Sequence, residues 1–188
     1  MFQSNSLAEI GPASGRPMHI RLLSKFFGLF AVVVSAALPA MALDAPKGPV
    51  VLTVSAPVLD HPNVGATAQF DLQMLEALAG RSAKVRTPWT SGEVEFSGPY
   101  LRSVLEAAGA RGAKLRITAL NDYYADVPME DVAQLDTILA TRLHGKTMSV
   151  REKGPLFLIY PFDLDPNLYN EKYFSRSVWQ IVKIEVTD

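Results

Sequence analysis

The chain has 188 residues, a formal net charge of −1 and no cysteine. That length is enough for one domain with a real core. The near-neutral charge excludes an electrostatic nucleic-acid binder, and the missing thiols exclude disulfides, thiolate nucleophiles and thiolate metal ligands.

Residues 1–17 are polar, rich in Gly, Pro and Ser, and without an apolar period, so they read as a leader outside the native fold. Met18 opens a different pattern: Arg21 and Lys25, an apolar run from Phe26 to Leu38, then Ala40-Met41-Ala42. This is the layout of a secretory signal peptide over residues 18–42, with cleavage after Ala42. The apolar run is short for a bilayer span. Met18 is accordingly a candidate for the true start. The mature protein is then a single exported domain over residues 43–188. Outside the cytoplasm there is no ATP or GTP to hydrolyse, and the sequence carries no Gly-rich phosphate loop.

Val50 to Ala56 is β-branched and bounded by prolines, which predicts a first strand. Pro57 to Ala68 reads as a loop. Asp71 can cap a helix carrying Leu72, Leu75 and Leu78 and closed by Gly80. Lys84 to Thr87 is a short strand candidate, and Pro88 to Gly92 breaks the chain. Val94 and Phe96 alternate with Glu93 and Glu95, predicting a half-buried strand. Gly98-Pro99 should stop it and place Pro99 in the first turn of a helix. Leu101, Val104, Leu105 and Ala108 recur at helical spacing before Gly109. Leu115, Ile117 and Ala119 alternate as a strand that leads into Asn121-Asp122-Tyr123-Tyr124.

Pro128 to Asp131 reads as a turn, Thr137 to Arg142 as a strand, and His144-Gly145-Lys146 as a hairpin turn. Met148 and Val150 alternate with polar neighbours. Leu156 to Tyr160 is an unbroken apolar run that suits a central strand buried on both faces. Asp163 to Ser175 is polar and aromatic with room for a short helical turn. Val178 to Val186 is the last strand, with Val182, Ile184 and Val186 on one face. Strands outnumber helices without strict alternation, which argues an α+β domain with a mixed β-sheet and a few short helices.

The segment Asn121 to Tyr124 packs an amide, a carboxylate and two phenols into four residues. It either presents rings and directional partners to a planar polar ligand or is a turn followed by a core-packing Tyr pair. His61 and His144 are far apart and lack carboxylate support, so no metal site is expected on them.

The order of the motifs adds a resemblance. Val94-Glu95-Phe96-Ser97-Gly98-Pro99 precedes the helix Tyr100-Leu101-Arg102-Ser103-Val104-Leu105. Then come Asn121 to Pro128, Lys153-Gly154-Pro155-Leu156-Phe157-Leu158-Ile159-Tyr160-Pro161, and Ser175-Arg176-Ser177-Val178-Trp179-Gln180-Ile181. From about Val50 to Val186 the chain resembles the molybdopterin-binding domain of the sulfite oxidase family, in its short periplasmic form. Catalytic members of that family hold molybdenum through a cysteine thiolate. Here the corresponding neighbourhood reads Thr87-Pro88-Trp89-Thr90, and neither an indole nor a threonine hydroxyl replaces a soft thiolate. The chain is thus similar to cysteine-free exported regulators that bind a reduced pterin without metal. Those signal to the periplasmic domain of an inner-membrane GGDEF/EAL-type enzyme that makes or degrades cyclic di-GMP.

The resemblance implies a periplasmic pterin-binding regulator. The alternative it leaves is a molybdopterin-dependent oxidoreductase, or a subunit of one. For a pterin the candidate contacts are Trp89, Thr90, Asn121, Asp122, Tyr124, Arg151, Lys153 and Arg176. Trp89 either stacks on the ring or caps the core. Asn121 offers donor and acceptor to the ring edge, or is a turn residue tolerating the left-handed region. Asp122 accepts from the pterin amino group or caps a turn. Tyr123 and Tyr124 face opposite ways if extended, and Tyr124 is the one assigned to the ligand. Arg151 and Lys153 meet the ring or an acidic partner, or are solvated. Arg176 can offer a planar fork to a carbonyl edge, whereas Trp179 is expected in the core.

Overall fold

The computed structural model describes residues 43–188. The leader, signal-peptide and Met18 readings fall on residues 1–42 and lie outside the described residues. In chain order the strands are β1 (Val50–Ser55), β2 (Val58–Leu59), β3 (Ala68–Asp71), β4 (Gly80–Arg86), β5 (Glu93–Pro99), β6 (Ala110–Arg111) and β7 (Lys114–Ala119). They continue as β8 (Tyr124–Pro128), β9 (Ile138–Ala140), β10 (Arg142–Leu143), β11 (Lys146–Thr147), β12 (Phe157–Ile159) and β13 (Ile181–Thr187). Four short helices intervene: α1 (Leu72–Glu76), α2 (Leu101–Ala108), α3 (Met129–Gln134) and α4 (Glu171–Phe174), with 3-10 turns at Val150–Glu152 and Pro166–Leu168.

A five-stranded sheet runs β3-β1-β13-β7-β8. Its β1–β13 pair is parallel and its other pairs are antiparallel, so the sheet is mixed. The second sheet, β11-β10-β5-β4, is antiparallel throughout. Two-stranded pairs β12-β9 and β2-β6 complete the fold. Leu52, Val54, Ile117 and Ile184 of the first sheet are buried with Val85 and Phe96 of the second. They join the inward face of α2 and the wholly buried β9 and β12 in one core.

Helix α2 forms where its spacing puts it: Leu101, Val104, Leu105 and Ala108 are all buried, and Gly109 closes it at φ 64°. A residue with a side chain resists that left-handed conformation. Helix α1 is capped by Asp71 as expected, but it ends at Glu76, and Gly80 instead opens β4. Gly80 lies against Pro99 in the β4–β5 register, an approach that has no room for a side chain. Likewise Pro99 ends β5 rather than starting α2, whose cap is Tyr100. Pro128 is not in a turn: it ends β8 and caps α3. Val150 is exposed in a 3-10 turn, not in a strand. The Phe157–Ile159 strand is buried on both faces, yet its one ladder partner is β9 rather than a central sheet. In β13 an irregularity between Ile181 and Lys183 shifts the phase, so Ile181 is buried and Val182 only half-buried.

Two stability predictions arise here. A Cβ at Gly98 would lie 2.2 Å from the Leu139 carbonyl oxygen, on backbone that cannot swing aside. Gly98→Ala is expected to cost about 1–3 kcal/mol by forcing β5 and β9 apart, read as a lowered denaturation midpoint. Asp71 accepts from the amides of Met74, Gly48 and Lys47. Those amides, Met74 foremost, hold its carboxyl below the ordinary 3.8. A depressed carboxyl supplies stability that is fully present above its unfolded value and is lost as pH falls through the folded one. Urea midpoints should therefore favour wild type over Asp71→Asn at about pH 7, with the gap closing as pH falls below the ordinary 3.8.

Candidate functional site

A cleft of about 370 Å³ opens between three connections. The β4–β5 loop supplies Trp89, the β7–β8 turn supplies Asn121 and Tyr123, and the stretch before β13 supplies Glu171, Phe174, Ser175, Ser177 and Trp179. Each connection is fixed locally. In the first, Thr87 Oγ1 lies 2.9 Å from Thr90 Oγ1 and accepts from the Trp89 amide. In the second, Asn121 Oδ1 accepts from the Tyr123 amide, and Asp122 sits at φ 62°. Tyr123 then donates its hydroxyl to the Ser175 carbonyl at 3.2 Å, joining the second connection to the third.

Both tryptophans of the chain line this cleft. Trp89 is half-buried. Its ring lies 5.6 Å from Phe157, 5.9 Å from Phe174 and 5.7 Å from Trp179, tilted or edge-on in each case. Edge-to-face packing of this kind holds an indole in one orientation. The core-capping and cleft-lining roles of Trp89 are therefore the same placement. Trp179 is 36% exposed rather than in the core, with Lys153 Nζ 5.5 Å from its ring centroid. Of the polar side chains on the walls, the Ser175, Ser177 and Tyr123 hydroxyls each donate to a backbone carbonyl, which leaves the Asn121 amide nitrogen and the Glu171 carboxylate.

The proposed contacts divide accordingly. Trp89 and Asn121 line the cleft. Asn121 spends its oxygen on the turn, leaving its amide nitrogen without a partner among the described residues. Thr90 fixes the loop behind Trp89. Lys153 flanks Trp179, while Arg151 is exposed in the 3-10 turn and does not line the cleft. Thr90, Lys153 and Arg151 are thus beside the cleft and not on its walls, and three further candidates also fall outside it. Asp122 is the left-handed turn residue and does not line the cleft. Tyr124 stacks under the Arg116 guanidinium at 4.2 Å, and Tyr123 faces the cleft in its place. Arg176 turns inward to Asp131, 2.7 Å away, instead of offering its fork to a ligand. Sequence reasoning also misses Ser175, Ser177 and Trp179 as one wall. The segment is a turn after α4 and not a strand, so no periodicity in the sequence marks these three as one face.

The sequence profile described as the oxidoreductase molybdopterin binding domain matches residues 67–188. The chain belongs to this family. Among solved structures, the molybdopterin-binding-family chain is similar to the sulfane dehydrogenase SoxCD from Paracoccus pantotrophus, at 18% identity and a TM-score of 0.50. The match covers 73% of this chain and 38% of that one, and at this identity it shows the fold alone. A search of curated proteins finds no significant match. The mixed sheets and short helices are those of a sulfite oxidase-like fold, as the motif order implied.

Molybdopterin is the group this family implies, and its two halves fare differently against the residues present. The cleft has no thiolate donor, because the chain has no cysteine. Among the described residues no three His, Asp or Glu side chains come together as a metal site. A molybdenum centre anchored by thiolate does not fit this donor set. The cleft does offer indole surface and a few polar groups, the kind of lining on which flat heterocycles are held.

Proposed function

We propose that this domain binds a pterin in the Trp89–Trp179 cleft without metal, and that it acts as a regulatory module rather than as the redox part of an enzyme. The observation that carries the reading is a cleft walled by both tryptophans in a chain with no thiolate to hold molybdenum. Ligand binding would order the three connections that meet there, and a partner could read that ordering. Leu120 and Val150 support a docking role, each about half exposed. Both are tied to Gln180, beside Trp179. In this reading the protein is periplasmic, and its partner is the periplasmic domain of an inner-membrane GGDEF/EAL-type enzyme of cyclic di-GMP metabolism.

The family assignment favours a second reading, and supports it more directly than it supports regulation. In that reading the domain binds molybdopterin and belongs to an oxidoreductase, with molybdenum held by ligands other than thiolate. The two readings separate when the full chain, expressed with its own leader in a Gram-negative host, is purified from the periplasm and denatured. Pterin fluorescence without molybdenum is expected. Pterin with stoichiometric molybdenum would establish the oxidoreductase reading, and neither would leave the cleft without its proposed ligand.

A further inference from the structure

The cleft has a wall that is held from behind. Five of its nine lining side chains come from the stretch Glu171 to Trp179. Between Leu164 and Ile181 that stretch makes one ion pair among the described residues, from Arg176 Nη1 to Asp131 Oδ2 at 2.7 Å. The same oxygen accepts the Tyr160 hydroxyl at 2.8 Å. Asp131 lies in α3 and is 8% exposed, and Tyr160 is fully buried. The Tyr160 ring packs at 5.0 Å against Tyr173, whose ring also lies 5.8 Å from the Arg176 guanidinium.

Asp131 itself does not line the cleft. Its influence would pass through chain geometry. Ser175 and Ser177 flank Arg176 in the turn that follows α4 and both line the cleft, so a guanidinium anchored inward fixes the backbone that carries them. Ser177 is further fixed by donating its hydroxyl to the Tyr173 carbonyl. Burial, then the Asp131 carboxylate, push the Tyr160 hydroxyl well above its ordinary value, so it stays a donor at physiological pH. A carboxylate this buried is costly when its charged partner, Arg176, is removed. The latch is therefore expected to act as one unit.

We propose that Asp131 is a positioning residue for the cleft, its carboxylate locking Arg176 inward and thereby setting Ser175, Ser177 and Trp179 in place. This rests on the pterin reading for its ligand, but the geometric claim stands apart from it. The test uses the full exported chain and 6-hydroxymethylpterin as the probe, with Asp131→Asn, Arg176→Gln, Arg176→Lys and the Asp131→Asn/Arg176→Gln double variant. Both tryptophans line the cleft, so their near-UV circular dichroism reports its geometry without any ligand.

Asp131→Asn and Arg176→Gln are each expected to change the tryptophan near-UV bands and to raise the probe Kd at least tenfold. The double variant should be no worse than either single one, because both break the same pair. Arg176→Lys should keep the pair and hold Kd within threefold. A merely structural role would lower the melting temperature and leave bands and Kd unchanged, which overturns the proposal. Additive losses in the double variant overturn it too. If Asp131→Asn does not fold, Arg176→Gln against Arg176→Lys decides on the same criteria. If wild type fails to bind the probe, the pterin reading falls. The near-UV bands then decide the positioning claim alone: altered bands support it and unchanged bands overturn it.

Discussion

Phe157→Ala is expected to destabilise the domain by about 3–5 kcal/mol, the range for emptying a buried aromatic site. Phe157 is fully buried in β12, which is itself buried at every position. Its ring is edge-on to Phe96 at 5.6 Å and to Trp179 at 6.0 Å, and tilted against Trp89 at 5.6 Å. It therefore joins the core to the two tryptophans that wall the cleft. Its removal leaves a cavity bounded by large rings that cannot collapse without rotating, so relaxation recovers little of the loss. Chemical denaturation should show a lower midpoint with an unchanged slope. Against a typical total of about 5–15 kcal/mol the loss is a large fraction. A cost below about 1 kcal/mol would mean that these rings are not packed as described.

The second large effect concerns the ligand. Trp89→Ala is expected to weaken pterin binding by at least about tenfold, which is roughly 1.4 kcal/mol. A stacked aromatic pair contributes about 0.5–1.5 kcal/mol beyond burial. Truncation here also removes the neighbour that orients Phe174 and Trp179. Trp89→Phe keeps a ring against Phe157 and should lose less. Tyr124→Ala is the control, because that ring lies under Arg116 and away from the cleft, and affinity should stay within about twofold of wild type. Isothermal titration of the three variants with the same pterin makes the comparison. If Trp89→Ala binds as wild type does, the indole is not a wall of the site.

The sequence made the local elements legible because their signals are local. The four core positions of α2 lie on one helical face, and Gly109 ends it in the left-handed conformation. His144-Gly145 forms the expected hairpin turn, with both residues at positive φ. Partnership between strands was less legible, since alternation shows that a strand has a buried face and not what lies beside it. Leu156 to Tyr160 could be read as buried on both sides, but nothing in the run distinguishes a place in a wide sheet from β9 on one edge and a single bridge to Trp179 on the other.

The site was half legible for the same reason. Trp89 and Asn121 stand out by type and by their loops. Arg176 also stands out by type, but its direction depends on Asp131, 45 residues away in sequence. The exposure of Trp179 depends on what the Lys153 turn leaves uncovered. The choice between Tyr123 and Tyr124 turned on where a tight turn ended and β8 began. The motif order across the chain placed it in the fold family that the sequence profile then matched. It did not establish what the cleft holds.

The proposed function requires that the cleft walled by the two indoles take a pterin without metal. Tryptophan emission of the purified full chain, titrated with 6-hydroxymethylpterin after removal of endogenous ligand, tests this most directly, because both tryptophans of the chain line the cleft. Saturable quenching at one site is expected, with the same Kd whether or not molybdate is present. Emission that does not respond, or that responds only when molybdate is added, would contradict it.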